Sequence, residues 1–328
     1  MKRSLKDYFV IGLKGLAMGA ADVVPGVSGG TIAFISGIYD ELITSIDSFN
    51  LKNLKLLKTD GIVATFKALN GSFLVSLFLG IGISVLSLAK LFKYLLETKP
   101  IFVWAFFFGL VLASILFIAK QITKWTIVNI LLLLVGAGVA YYITIIPAMG
   151  SANNSPLFLL LAGALAICAM ILPGISGAFI LLLLGAYKPA LDAIHNHEYK
   201  KIAYLGIGAI VGLLSFAKVL KWLFHNYRNT TLATLTGFVI GSLNKIWPWK
   251  KIKQLRLDSH DNWVSYLDDN VLPSQYDTPV MDSITQKGIP MIYQQTNPQL
   301  LYAIILAIVG FSLILLLEKL GNSKKLNP

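Results

Sequence analysis

The chain has 328 residues, of which 56% are hydrophobic and 13% charged, and its mean hydropathy of +0.71 excludes a soluble fold. The formal net charge of +12 would point to nucleic acid in a soluble protein. Here most Lys and Arg stand beside apolar runs, where they set orientation and attract acidic headgroups, so no nucleic-acid partner is expected.

In chain order, Met1-Lys2-Arg3 precedes an apolar stretch that Lys14 interrupts, which argues against a cleavable signal. A broken-helix hairpin is predicted over about 8–48, a Lys-rich interfacial helix over about 51–68, and spans over about 72–96, 101–119 and 126–146. These form a first unit, residues 1–150. The second unit, residues 151–328, holds a hairpin over about 156–190 and spans over about 202–224, 229–247 and 299–317, with an extracytoplasmic loop at 250–297. The runs are continuously apolar rather than alternating, so helices and not a barrel are expected. Cys168, the only cysteine, lies in one such run and cannot form an internal disulfide.

The two units repeat. ADVVPGVSGGTIAFISGIY from Ala21 and AMILPGISGAFILLLLGAY from Ala169 match at an offset of 148, pairing Pro25, Gly26, Ser28, Gly29, Gly37 and Tyr39 with Pro173, Gly174, Ser176, Gly177, Gly185 and Tyr187. LSLAKLFKYLL from Leu86 matches LSFAKVLKWLF from Leu214 at an offset of 128, and Gly109 and Ser114 then meet Gly237 and Ser242. As one helix the second hairpin would be about 50 Å long at about 1.5 Å per residue, too long for a comfortable span. Its central Pro and Gly argue for two half-helices with both ends on one membrane face. A returning hairpin plus three crossings makes an odd number of crossings per unit. The expected fold is therefore an all-α polytopic membrane protein of two inverted-topology repeats, each a re-entrant broken-helix hairpin plus three transmembrane helices. Loop charges agree with cytoplasmic termini, except at Lys188, Lys200, Lys201 and the Lys250–Arg256 cluster.

The duplicated break carries the chemistry. Pro removes a donor and Gly permits unusual torsions, so the half-helix after each break begins near mid-membrane with unpaired N–H groups and a Ser hydroxyl, a setting that favours an anion. The candidate anion-binding residues are Pro25, Gly26, Ser28, Gly29, Gly30 and Thr31 in the first motif and Pro173, Gly174, Ser176 and Gly177 in the second. Close helix packing is the competing explanation for the small residues. The departures from symmetry, Gly30/Ala178, Thr31/Phe179 and Asp22/Met170, predict more polar contacts from the first motif. Asp22, an ionisable group in an apolar segment, is a candidate for coupling to a proton or another cation, with bracing of the broken backbone as the alternative. Lys90 and Lys93, with counterparts Lys218 and Lys221, lie three apart on one helix face; they line a cationic path or snorkel to headgroups. Asp40 and Glu41 read as solvated, His195, His197 and Glu198 as a wet loop rather than a metal site, and Trp104, Trp125, Trp222, Trp247 and Trp249 as interfacial anchors.

DVVPGVSGGT followed by a later PGISG in a helical chain of this length resembles the bacterial polyprenyl-phosphate translocase family, and the resemblance runs from Lys6 to the last span. It implies a carrier in the bacterial cytoplasmic membrane that returns undecaprenyl phosphate from the outer to the inner leaflet for cell-wall precursor synthesis. The implied partners are a polyprenyl-phosphate lipid and the bilayer, and alternating access around the paired motifs would serve them. No cofactor and no metal are expected, and a proton or sodium gradient is the candidate energy source. A transporter of a small soluble anion is the alternative reading. An intramembrane lipid-phosphate hydrolase is disfavoured, because it needs a nucleophile with a base or metal and all four His lie outside the apolar cores.

Overall fold

The computed structural model describes residues 3–23, 28–146, 155–257 and 263–323. Pro25 and Gly26 lie outside the described residues, as do the side chains of Lys90, Lys93 and His195. The first unit contains α1 (Leu5–Val23), α2 (Gly29–Ile35), α3 (Tyr39–Asp47), α4 (Leu51–Thr59), α5 (Gly61–Ala68), α6 (Gly71–Thr98), α7 (Pro100–Ala119) and α8 (Ile127–Ile145). The second contains α9 (Pro156–Ile171), α10 (Gly177–Leu183), α11 (Tyr187–His195), α12 (Tyr199–Asn226) and α13 (Arg228–Ser242). Strands β1 (Lys250–Leu257), β2 (Trp263–Asn270), β3 (Asp277–Pro279) and β4 (Tyr293–Gln295) follow, and then α14 (Leu300–Ser323).

The repeat seen in sequence recurs in the element bounds. Adding 148 to the ends of α2 and α3 gives those of α10 and α11, and adding 128 to the ends of α6 gives those of α12. Each short helix ends in a glycine turn of left-handed torsion, Gly37 at φ 72° and Gly185 at φ 71°, a conformation Gly adopts without the steric penalty of a Cβ. Pro100 and Pro156 open α7 and α9 at the first turn, where the missing N–H has no intrahelical partner to lose.

Among the described residues, α6, α7, α8 and α12 are long and apolar enough to cross a membrane. The chain is thus a mostly helical, multi-pass membrane protein. Large apolar side chains on α8 and α14, such as Leu131, Leu134, Ile305 and Ile308, face outward, as hydrocarbon surroundings allow. Helices pair as α1 with α6, α9 with α12, α7 with α14 and α8 with α13. Glycines make these approaches close: a Cβ on Gly109 or Gly310 would collide with the backbone carbonyl of Ala307 or Phe106 across the α7–α14 contact.

Several expectations need correction. The predicted interfacial helix over 51–68 is two helices, α4 and α5, divided at Gly61, whose φ of 82° cannot continue a helix. The span expected over 229–247 ends at Ser242, because Pro248 ahead disfavours helix and Asn244 bonds outward instead: its Nδ2 donates to Thr144 Oγ1 (2.7 Å), and its carbonyl accepts from Asn270 Nδ2 (2.8 Å). The chain is not all-α. Within 250–297, β1 pairs antiparallel with β2, and β3 with β4. Trp263, Val264 and Tyr266 are strand formers, and Lys251 Nζ to Asp277 Oδ2 (2.7 Å) ties the two pairs together. Trp249 is buried rather than interfacial, and the indole N–H groups of Trp247 and Trp249 donate to the carbonyls of Val271 and Pro298, both at 2.9 Å, clamping this small β region to the helices.

At the opposite end of the molecule, Arg3 makes a bidentate pair with Glu41 (2.5 and 2.6 Å), and Asn70 also donates to Glu41 (2.8 Å). Arg228 approaches Asp40 (3.4 Å) and Lys221 Nζ meets Asp47 Oδ2 (2.7 Å). Asp40 and Glu41 are therefore paired rather than merely solvated. The Arg3–Glu41 contact brings the start of α1 beside the start of α3. Because the Lys221 pair is solvent-facing, Lys221→Ala is expected to cost at most about 1 kcal/mol of stability and to leave transport within about twofold of native. Parallel thermal unfolding and vesicle transport would check this, and a tenfold transport loss would instead put Lys221 on the path.

Candidate functional site

The two breaks meet inside the helical body. Ser28 caps α2, its Oγ accepting from Gly30 N–H (3.1 Å), while the hydroxyl reaches the carbonyls of Met170 (3.1 Å) and Leu172 (3.2 Å) in the second motif. In return Gly174 N–H donates to Thr31 Oγ1 (2.9 Å). Ser28 and Thr31 are each 1% exposed, so these bonds cross the junction in a dry setting where leaving them unmade would be costly. Cross-motif bonds therefore lock α2 against the Leu172–Ile175 turn.

The glycines are there for approach. A Cβ on Gly30 would strike the Ile171 carbonyl oxygen, one on Gly29 the Asp22 carboxylate, and one on Gly177 lies 2.5 Å from the Ala166 carbonyl oxygen. Gly174, at φ 89°, has in addition a torsion that a side chain rarely tolerates, with Val239 backbone at 2.9 Å from its Cβ position. Close packing, the competing explanation for these residues, thus accounts for part of the motif.

The donors expected to be unpaired at the first motif are in use. Asp22 Oδ1 accepts from Gly29 N–H at 2.7 Å, so the protein's own carboxylate occupies the place an external anion would take at the start of α2. Pro25 and Gly26, predicted to shape this half, fall outside the described residues. The second motif is arranged differently. Met170 stands where the repeat would put Asp22 and supplies no carboxylate. Pro173 and Gly174 are buried, and Ser176, 7% exposed, does not cap α10 and its hydroxyl makes no hydrogen bond among the described residues. Within the protein, the first motif thus makes more polar contacts than the second, whose Ser176 hydroxyl is left unbonded among the described residues.

Two neighbouring spaces front the second motif. A narrow crevice of about 10 Å³ is bordered by Gly174, Ser176, Phe179, Thr144, Ser242 and Lys245. Beyond it a cavity of about 330 Å³, the size of a small-molecule site, extends from Phe179, Thr144 and Lys245 to Asn244, Lys250 and Asp268 on the β region, with Ile145, Leu182 and Leu183 as an apolar wall. Lys245 Nζ lies 4.9 Å from the Phe179 ring centroid, a cation–π contact. Lys250 Nζ donates to Asn270 Oδ1 (2.9 Å), with Asp268 Oδ1 at 3.9 Å. Burial pulls the Lys250 pKa down to about 8 against the raising effect of Asp268, and the charge of Lys245 pulls the same way as burial.

Lys218 and Lys221, predicted as path residues, lie on the exposed face of α12 and border neither space. Of Lys90 and Lys93 only the backbone, within α6, is described. Lys245 was missed by the sequence reading. The signal was present: extending the Ser114/Ser242 register by three residues pairs Phe117 with Lys245, a charge with no counterpart in the other unit. His197 and Glu198 belong to no group of three metal-binding side chains among the described residues.

Helical spans and two repeated motifs bonded to each other, beside a cavity lined by Lys245, Lys250, Asp268 and Asp269, define a multi-pass membrane protein with a charged cavity. Comparison with known proteins narrows this: residues 18–264 match the family model described as undecaprenyl phosphate translocase-like (VCA0040-like), and the chain belongs to that family. A relative from Vibrio cholerae named polyprenyl-phosphate transporter is 44% identical over 315 residues, 95% of this chain and 97% of its own. One of the same name from Staphylococcus aureus is 32% identical over 253 residues, 72% of this chain and 85% of its own. No solved structure matches.

Proposed function

We propose that this chain is a transporter rather than an enzyme and carries undecaprenyl phosphate from the outer to the inner leaflet of the bacterial cytoplasmic membrane, returning the carrier to cell-wall precursor synthesis. The observation that carries this reading is the junction itself: two motifs bonded to each other, with Asp22 on the first helix start and an unbonded Ser176 hydroxyl at the second, next to a cavity lined by charged and apolar side chains. A phosphate head suits the donors and lysines, and an isoprenoid tail suits the apolar wall, which continues into the lipid-facing side chains of Tyr141 and Ile145 on α8.

The fold reading behind this is a pair of inverted repeats with re-entrant hairpins. The Arg3–Glu41 pair supports a first hairpin whose ends share one face, taken as cytoplasmic together with both termini, and the cavity beyond α10 supports a second hairpin turned toward the β region on the other face. In this conformation the cavity lies on the extracytoplasmic side. Alternating access would open the Asp22 side as the Ser176 side closes. Displacement of the Asp22 carboxylate from Gly29, with a proton or sodium ion taken up, is the proposed coupling step.

The test is leaflet-specific detection of undecaprenyl phosphate in reconstituted vesicles. Native protein is expected to equilibrate the lipid faster than empty vesicles, and Ser28→Ala, which breaks the cross-motif bonds, and Ser176→Ala, which removes an unbonded hydroxyl, to slow it by about tenfold each. Native protein no faster than empty vesicles would refute lipid transport. Excess inorganic phosphate that abolishes the lipid signal would favour a soluble-anion carrier.

A further inference from the structure

We infer that Lys245 is a headgroup-binding residue, the cation that takes the phosphomonoester of the lipid in the cavity and delivers it to Ser176. The inference rests on the lipid-phosphate reading above and assigns a contact that neither the repeated motifs nor the Lys pairs on α6 and α12 supply. Three observations carry it.

Among the described residues, Lys245 is the one lysine that borders both spaces, the large cavity and the crevice lined by Ser176 and Gly174. The nearly buried, unpaired Ser176 hydroxyl marks the inner end of that route, and a hydroxyl with no protein partner there is free to bond a ligand oxygen.

The charges in the cavity do not cancel at Lys245. Asp269 is engaged by Lys253 (2.5 Å) and Asp268 stands beside Lys250 (3.9 Å), whereas Lys245 has no carboxylate within 4.0 Å among the described residues. Its ammonium is held instead by the Phe179 ring, a partner that attracts the charge without neutralising it. Lys250 lines the same cavity, and its pKa, lowered chiefly by burial, is lowered further by the charge of Lys245.

The surroundings select a lipid. Leu182, Leu183 and Ile145 line the same cavity as the lysines, so an anion at Lys245 has apolar side chains there for its substituent to lie against.

The experiment uses full-length protein in vesicles with polyprenyl phosphate. Lys245→Met is expected to raise the half-saturating lipid concentration by about tenfold, Lys245→Arg to stay within about threefold of native, and Lys287→Met, exposed and bordering neither space, to match native. In parallel, native protein is treated with an amine-reactive reagent, and modification of Lys245 and Lys287 is read by mass spectrometry with polyprenyl phosphate, with inorganic phosphate, or with neither. Selective protection of Lys245 by the lipid supports the inference even where a variant misfolds. Native half-saturation in Lys245→Met, or absence of protection while native protein transports, overturns it and leaves the translocase reading standing. Equal protection by inorganic phosphate overturns the lipid assignment of this residue. Native protein that moves no lipid strikes the translocase reading itself, and protection then decides the binding contact alone.

Discussion

Replacing Gly30 by alanine is expected to reduce lipid translocation by about tenfold or more. Gly30 is the second residue of α2, and its Cβ would strike the Ile171 carbonyl oxygen with the Met170 carbonyl oxygen at 3.0 Å. Backbone atoms cannot rotate aside as a side chain would, so α2 must retreat from the second motif. Retreat lengthens the Ser28 contacts to Met170 and Leu172 and the Gly174–Thr31 bond, each worth about 0.5–1.5 kcal/mol, in addition to an overpacking cost of about 1–3 kcal/mol. Gly206→Ala is the control, because the space around Gly206 is open. It should match native protein in thermal unfolding and in transport. Native transport by Gly30→Ala would mean that the two breaks need not touch for the lipid to cross.

The second large effect is expected at Asp22, where two substitutions separate bracing from coupling. Asparagine keeps an oxygen that can accept from Gly29 N–H and removes the charge, and alanine removes both. Asp22→Ala is expected to lose about 1–3 kcal/mol of stability, the cost of leaving a buried donor without its charged acceptor, and Asp22→Asn about 1 kcal/mol or less. If the carboxylate takes up a cation during the cycle, both variants lose gradient-driven accumulation of lipid, while Asp22→Asn still exchanges lipid downhill. Accumulation at the native level by Asp22→Asn would reduce Asp22 to a brace. Vesicles with an imposed proton or sodium gradient distinguish the outcomes.

The sequence made the breaks and the repeat visible because both follow from local chemistry. Pro-Gly in an apolar run has few helical solutions, and the same residues at the same spacing give helices that begin and end at equivalent positions, as α6 and α12 do. The occupant of each break was not visible. That the Asp22 carboxylate accepts from Gly29 N–H, and that the Ser176 hydroxyl is left without a bond among the described residues, are both tertiary facts. The β region went unread for another reason. Strands β1 and β2 are rich in Lys and Asp, bulged near Gln254, and stand between two apolar spans, so they looked like a polar connection. Lys245 went unread because nothing local marks it: it borders the cavity only because α13 ends at Ser242, within what the hydropathy made one continuous span.

A photoreactive polyprenyl phosphate, with its diazirine next to the phosphorus, tests the central claim most directly when bound to native protein in vesicles and mapped by mass spectrometry. The account predicts adducts on residues 28–31 and 173–179, joined by Lys245. Adducts confined to the Lys90–Lys93 and Lys218–Lys221 faces, in protein that transports, would contradict it.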